Sequence, residues 1–165
     1  MIASFAPVVP AAPRVLVLGS IPGVRSLQSQ QYYAHPQNQF WRLMASVLDE
    51  ALPSAYGDRL AMLARHGVAL WDVLASCERE GSLDAAIRGE QPNAIEGLLE
   101  HYPSINTVAL NGRKAGSSFR KHITPPSPVT LLDLPSSSAA NARLRFEQKC
   151  EQWCGMRAAL GAGIG

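Results

Sequence analysis

The sequence predicts an α/β protein: a three-layer α/β/α sandwich around a four-stranded, mostly parallel sheet. Three observations carry this expectation. Four short runs rich in Val and Leu are each bounded by Gly, Pro, Asn or Ser. Helical spacings of apolar residues lie between them, and alternating strand and helix is how parallel βαβ units read in sequence. The runs are apolar throughout rather than alternating, so both faces of the sheet must be covered. At 165 residues the chain has the size of one domain, which can bury a core without staples.

The elements follow in order. Residues 1–13 carry three prolines and are expected to be loosely ordered. Val15 to Leu18 is the first strand, and the loop GSIPGVRS follows it. Pro36 to Leu48 has apolar residues at Phe40, Met44, Val47 and Leu48, one face of a helix, with Pro36 suited to its first turn. Tyr56 to Arg65 is a second helical segment. Val68 to Leu70 is the second strand, in a run that can extend to Val73. Asn93 to His101 is helical. Thr107 to Leu110 is the third strand, and an Asn-Gly turn leads into the helix Arg113 to His122. Val129 to Leu132 is the fourth strand. Ala139 to Leu160 reads as one long helix opened by a Ser138 cap, and residues 161–165 as a frayed tail.

Composition excludes several classes. Hydrophobic residues make up 47% of the chain, enough to offset the entropy of ordering, so disorder is excluded. No apolar run approaches the roughly 20 residues that a bilayer span needs. The N-terminus lacks the basic region and uninterrupted apolar stretch of a secretory signal, so the expected location is cytoplasmic. Three cysteines (Cys77, Cys150, Cys154) make no disulfide framework and cannot supply the four ligands of a Cys-bound iron–sulfur cluster. Cys150 and Cys154 read as small core-facing residues. His and Cys lack metal-ligand spacing, so neither metal nor cofactor is expected. Residues 1–110 carry a net charge of −3 and residues 111–165 carry +5. A basic C-terminal third hints at a polyanionic partner, although a solvated face would read the same way.

In a parallel sheet of this kind ligands bind beyond the carboxyl ends of the strands. Four loops are singled out: GSIPGVRS, WDVLASC, NGRKAG and DLPSSSAAN. The first is neither a Walker A loop nor a dinucleotide fingerprint, since Val24, Arg25 and Ile21 stand where those motifs need Gly, Lys and Gly. Ser20 is a hydrolase nucleophile only if a His is placed as its base. None of His35, His66, His101 and His122 lies in such a motif. Exposed backbone amides of this turn would suit a phosphate. Within QYYAHPQNQFW, Phe40 and Trp41 suit packing of the helix on the sheet. Tyr32 and Tyr33 stand in a polar loop where an aromatic can stack on a flat ligand such as a base. Asn38 is either a capping residue or a carboxamide that holds a water or a base edge. Asp72 and Asp133, the acids of these loops, could each act as a general base or cap a turn.

GSIPG after the first strand, YYAHPQNQFW at the next helix, a strand ending in LNG, and LPSSSAAN after the last strand resemble, in that order, the uracil-DNA glycosylase superfamily. The branch most resembled is the hypoxanthine (deoxyinosine) DNA glycosylases, related to the mismatch-specific uracil/thymine enzymes. The resemblance runs from about Arg14 to the C-terminal helix. The mismatch-specific branch carries a catalytic Asn at the third position of its Gly-Ile-Asn-Pro-Gly loop. Here Gly19, Ser20, Pro22 and Gly23 keep a similar turn, but the third position is Ile21, which has no polar atom. The hypoxanthine branch is similar in this, and its catalytic Asn belongs to a His-Pro-x-Asn segment, which falls on Asn38.

The resemblance further implies that Tyr33 stacks on a flipped base, that Asn111 bonds its edge, and that the 134–141 loop fills the gap left in the duplex. Ser136, Ser137 and Ser138 would contact phosphates, with Arg113, Lys114 and Arg143 facing the DNA backbone. His35 would assist Asn38 or only hold its loop. The implied activity is hydrolytic, cofactor-free removal of a deaminated base from double-stranded DNA by a monomer, nucleoid-associated when acting. It would leave an abasic site. No Lys lies in the first two motif loops, so a lyase step through a Schiff base is not expected, Lys114 being the one nearby amine. The competing readings are a uracil glycosylase of the same superfamily, and a non-catalytic α/β module that binds nucleotide or nucleic acid.

Overall fold

The computed structural model describes residues 1–161. The tail expected to fray from 161 onward otherwise lies outside the described residues. In chain order the elements are β1 (Ile2–Ala3), β2 (Val15–Gly19), α1 (Val24–Ser29), α2 (Phe40–Val47), α3 (Tyr56–Arg65), β3 (Val68–Asp72) and β4 (Leu74–Glu78). They continue with β5 (Arg88–Pro92), α4 (Ile95–His101), β6 (Thr107–Asn111), α5 (Arg113–His122), β7 (Thr130–Leu134), α6 (Phe146–Trp153) and α7 (Arg157–Leu160).

The main sheet has the order β3-β2-β6-β7 and every pairing in it is parallel. Alternate residues of its strands feed two cores. Val15, Val17, Val68, Leu70 and Ala109 pack with α2, α3 and α6 on one face, while Leu16, Leu18, Ala69, Val108 and Leu110 pack with α4 and α5 on the other. This is the expected three-layer sandwich, and it explains why the strands show no polar alternation. Cys150 and Cys154 pack against the first core.

Register is what builds the site. Val15 faces both Val68 and Thr107, so Gly19 lies opposite Asp72 and the β2 end stands level with the Leu110–Asn111 end of β6. The carboxyl ends of β3, β2 and β6 therefore form one ledge. The chain leaves β2 for β3 on one side and later returns to place β6 on the other, so a switch point opens at this ledge.

Four expectations change. A second, antiparallel sheet β1-β4-β5 is added. Its strand β5 is RGEQP, mostly exposed, with no apolar period to reveal it; it exists because β4 offers it a ladder. Residues 1–13 are not loose. β1 pairs with β4, Val8 exchanges two backbone hydrogen bonds with Leu70, and the Trp71 indole donates to the Phe5 carbonyl at 2.9 Å. The segment thereby covers the open edge of β3. Helix α2 begins at Phe40, not near Pro36, because the Asn38 side chain takes the Phe40 N–H and closes a turn ahead of the helix. The long C-terminal helix is cut short. Ser138 Oγ accepts the N–H of Ala140, a local turn, and α6 starts only after Arg145, whose N–H donates to Gln148 Oε1.

Candidate active site

The loops at the ledge enclose an open cleft of about 1440 Å³. Every residue assigned from the sequence to catalysis, base binding or DNA contact borders it, but several do so in roles other than those expected.

The floor is Gly19, Asp72, Asn111 and the hydroxyl of Tyr33. Gly19 is a close approach: a Cβ there would stand 2.6 Å from Asp72 Oδ1 and 2.8 Å from the Tyr33 hydroxyl. Asp72 is only 4% exposed. Burial, and secondly the charge of Asp84, raise its pKa to about 7 against the opposing Arg79. Its Oδ2 has no hydrogen-bond partner, and neither has the buried Tyr33 hydroxyl. Burial first, then Asp72, push the Tyr33 phenol upward, so it stays protonated. Two buried, unpaired polar atoms at the bottom of one cleft ask for a polar ligand or ordered water.

The Tyr33 ring stacks on Phe40, with centroids 4.0 Å apart and planes at 18°. Tyr33 itself has a left-handed backbone, φ 55°, which turns the chain so that its ring can lie over α2. Asn38 is half-buried on the cleft wall; its Oδ1 accepts the Phe40 N–H at 3.0 Å and its own N–H donates to the His35 carbonyl. His35 is exposed, and its Nδ1 accepts the Gln37 N–H at 3.1 Å. Holding this turn is therefore a job that His35 performs. Ile21 is 7% exposed and packs into the core beneath α4 and α5.

Three expectations at the site change. Asn111 is already tied into the protein through one donor and one acceptor. Its Nδ2 donates to Ser137 Oγ and its Oδ1 accepts the Ser137 N–H, both at 2.9 Å. Ser137 in turn is 1% exposed and its carbonyl accepts the Gln39 N–H, so it cannot reach a phosphate. Ser136 and Ser138 remain at the rim; Ser136 Oγ accepts the Ser138 N–H. Lys114 is not a free cation either: its Nζ lies 2.6 Å from Glu90, which also binds His122 at 2.8 Å. Burial alone would raise Glu90, but Lys114 and His122 bring it down to about 2.

Arg113 and Arg143 are exposed at the rim with no ion partner among the described residues, and so is Arg25, which the charge pattern had not singled out. Gly112, at φ 95°, lets the β6–α5 turn pass Ser136, whose Cβ would be 3.0 Å from any added Cβ. Pro22 and Gly23 lead into α1, whose first N–H, that of Val24, donates to Ser82 Oγ. The Ser20 hydroxyl donates to Asp84 Oδ1 at 2.7 Å, not to a histidine, and the hydrolase arrangement fails there. Asp133 is exposed and doubly bonded to Arg120 at 2.8 and 2.7 Å. The Arg120 hydrogen bonds hold its carboxyl below the ordinary range, which suits a surface ion pair rather than a base. No three His, Cys, Asp or Glu side chains converge as metal ligands among the described residues. Asp84 and Arg79, which set the electrostatics of the floor, left no signal in the sequence, because they reach the cleft only through the unforeseen β4–β5 hairpin.

Comparison with known proteins fits this geometry. Residues 6–156 match the family model of the uracil DNA glycosylase superfamily. A hypoxanthine DNA glycosylase of Methanosarcina barkeri is 42% identical over 140 residues, 84% of this chain and 87% of that one. Another from Methanosarcina acetivorans is 39% identical over 138 residues, 83% of this chain and 86% of that one. A solution NMR structure of a candidate uracil DNA glycosylase from Methanosarcina acetivorans superposes with a TM-score of 0.82 at 35% identity, covering 98% of this chain and all of that one.

Proposed function

This chain belongs to the uracil DNA glycosylase superfamily, and from that premise we propose that it hydrolyses the bond between hypoxanthine and deoxyribose in duplex DNA. The product is an abasic site. The observation that carries this reading is Asn38: a carboxamide pinned at Oδ1 by the Phe40 N–H, standing on the wall of a cleft whose first loop offers only Ile21 where a polar group would be needed.

The chemistry follows from the parts. A stacked base is out of reach, so the nucleotide must flip, at a cost of a few kcal/mol that is least for a mismatched or damaged base. Tyr33 offers a platform: Phe40 backs one face of its ring, and a flipped base on the other would continue the stack. The Asn38 Oδ1 has a second lone pair beyond the one that Phe40 uses, which can accept a proton of the attacking water and orient it. Cleavage passes through an oxocarbenium-like state, by analogy with sugar hydrolysis. His35 keeps Asn38 in place through its carbonyl. Lys114, held by Glu90, is no free amine for a lyase step.

The test uses end-labelled duplexes with one deoxyinosine or one deoxyuridine opposite each normal base, followed by alkaline cleavage of abasic sites. Strand breaks at deoxyinosine are expected. Breaks at deoxyuridine alone would move the assignment to uracil, and binding without breaks to a non-catalytic module.

Arg113 and Arg143 supply the phosphate contacts in this reading. Binding of a duplex should weaken steeply with salt, and Arg113→Ala or Arg143→Ala should each reduce the slope of log K against log salt by about 1, with little dependence on sequence. A slope unchanged in both variants would remove this rim from the DNA interface.

A further inference from the structure

We propose that Asp72 is the acid of the reaction, giving its proton to N7 of the departing purine as the C1′–N9 bond breaks. The inference rests on the hypoxanthine reading above and extends it to the leaving group.

Four observations bring Asp72 to this role. It ends β3 on the ledge, in register with Gly19. Gly19 has no side chain to screen it, since a Cβ there would meet Oδ1 at 2.6 Å. Its Oδ2 is buried and unpaired. Its carboxylate caps no turn: only the backbone carbonyl of Asp72 is bonded, accepting from Asn93 Nδ2 at 2.8 Å, and among the described residues its side chain makes no hydrogen bond. A buried polar atom left unbonded costs free energy, which a ligand that uses it returns.

The surroundings favour the protonated form. Asp84 faces Asp72 from the turn after β4, and its carboxylate already accepts the Ser20 hydroxyl. Arg79, from the loop after β4, is the opposing cation; it donates to the carbonyls of Pro22 and Gly81, and its Nη1 is buried without a hydrogen-bond partner. Tyr32 and Tyr33 face it from the loop before α2, both neutral. Burial and Asp84 outweigh Arg79, so the carboxyl titrates near pH 7, where an acid catalyst is most effective.

The step balances. The electron pair of the C1′–N9 bond passes into the purine ring, and the Asp72 proton goes to N7, so hypoxanthine leaves neutral. Water oriented by Asn38 adds to C1′ and releases one proton, which restores Asp72 through solvent. The choice of N7 also separates the bases: a purine nucleoside has a ring nitrogen with a free lone pair, whereas uracil in a nucleoside has only its carbonyl oxygens to offer.

The test is single-turnover release of hypoxanthine from about pH 5 to about pH 9 by wild type and Asp72→Asn. The wild-type rate should fall as pH rises through the Asp72 titration. In Asp72→Asn that limb should vanish, and the rate at the acid end should drop by about 100-fold. A duplex with 7-deaza-2′-deoxyinosine, which carries carbon in place of N7, should be released about as slowly by wild type as deoxyinosine is by the variant. The variant should not distinguish the two substrates.

Thermal melting and binding to a tetrahydrofuran abasic-analogue duplex check that Asp72→Asn is folded; were it not, the 7-deaza substrate decides on wild type alone. Fast release of the 7-deaza base, or a variant with the wild-type rate and pH limb, overturns the role of Asp72 and leaves that of Asn38 standing. A wild type that releases no hypoxanthine overturns both.

Discussion

Asn38→Ala should lower single-turnover excision of the damaged base by about 100-fold or more, the range lost when one group that orients or stabilises the reacting atoms is removed. Alanine also removes the acceptor for the Phe40 N–H. Losing such a cap costs about 1 kcal/mol, so a fall in activity with this variant alone would mix chemistry with folding. Asn38→Ser separates them. A serine hydroxyl can still accept the Phe40 N–H as a cap but cannot reach out as a carboxamide does. Its stability in urea should match wild type within a few tenths of a kcal/mol, while excision stays as low as in Asn38→Ala. A serine variant as active as wild type would reduce Asn38 to a cap. Asn38→Asp keeps both the cap and an acceptor for water, and it should retain activity with a new acid limb, because the acceptor is then a carboxylate that must be ionised.

Asn111→Ala should be the most destabilising single change at the site. It removes two hydrogen bonds at once and strands the N–H and the hydroxyl of Ser137, which is 1% exposed. At about 1–3 kcal/mol for each buried orphan, the expected cost is about 2–6 kcal/mol. For a chain of this size that is a fall in Tm of roughly 5–15 °C. Excision should fall as well, because Ser137 holds the loop after β7 against Gln39 at the start of α2. Ser137→Ala is the milder partner: it loses only the hydroxyl, keeps the backbone bond to Oδ1, and should cost about 1 kcal/mol. If Asn111→Ala melted like wild type while excision collapsed, Asn111 would be a base-reading group after all, not the clasp described here. Melting curves and single-turnover rates on the same preparations distinguish the two.

Much of this was legible in the residues themselves, because local rules decide it. Apolar runs of three or four residues between turn formers can be little else than buried strands, and four of them in alternation with helices leave few topologies. All four strands of the main sheet lie on the Val and Leu runs, each extended by one or two residues at its carboxyl end, with the fourth starting one residue later, at Thr130. The motif loops were legible for the same reason, since parallel topology sends the carboxyl ends of the strands to one edge. Asn38 and Tyr33 could be singled out because QYYAHPQNQFW resembles the motif that carries those roles in the superfamily; from the residues alone Asn38 reads equally as a cap, and it does cap Phe40.

What the tertiary structure decided is how each polar atom is spent. Asn111 and Ser137 are 26 residues apart, and nothing local to either shows that they satisfy each other; only the register of β6 against β7 brings them together. Lys114 reads as a free cation until β5 lays Glu90 beside it. Asp72 and Asp133 are alike in sequence, each an acid at a strand end. The fold separates them: β7 is an open edge strand, so Asp133 meets solvent and Arg120, whereas the edge of β3 is covered by the N-terminal segment and Asp72 is buried near Asp84. The charge and protonation of a carboxyl depend on its desolvation and its neighbours, and both are long-range properties. The sequence alone therefore determined the sheet, its loops and their family; the packing of distant segments determined which of the polar groups in those loops remain free to do chemistry.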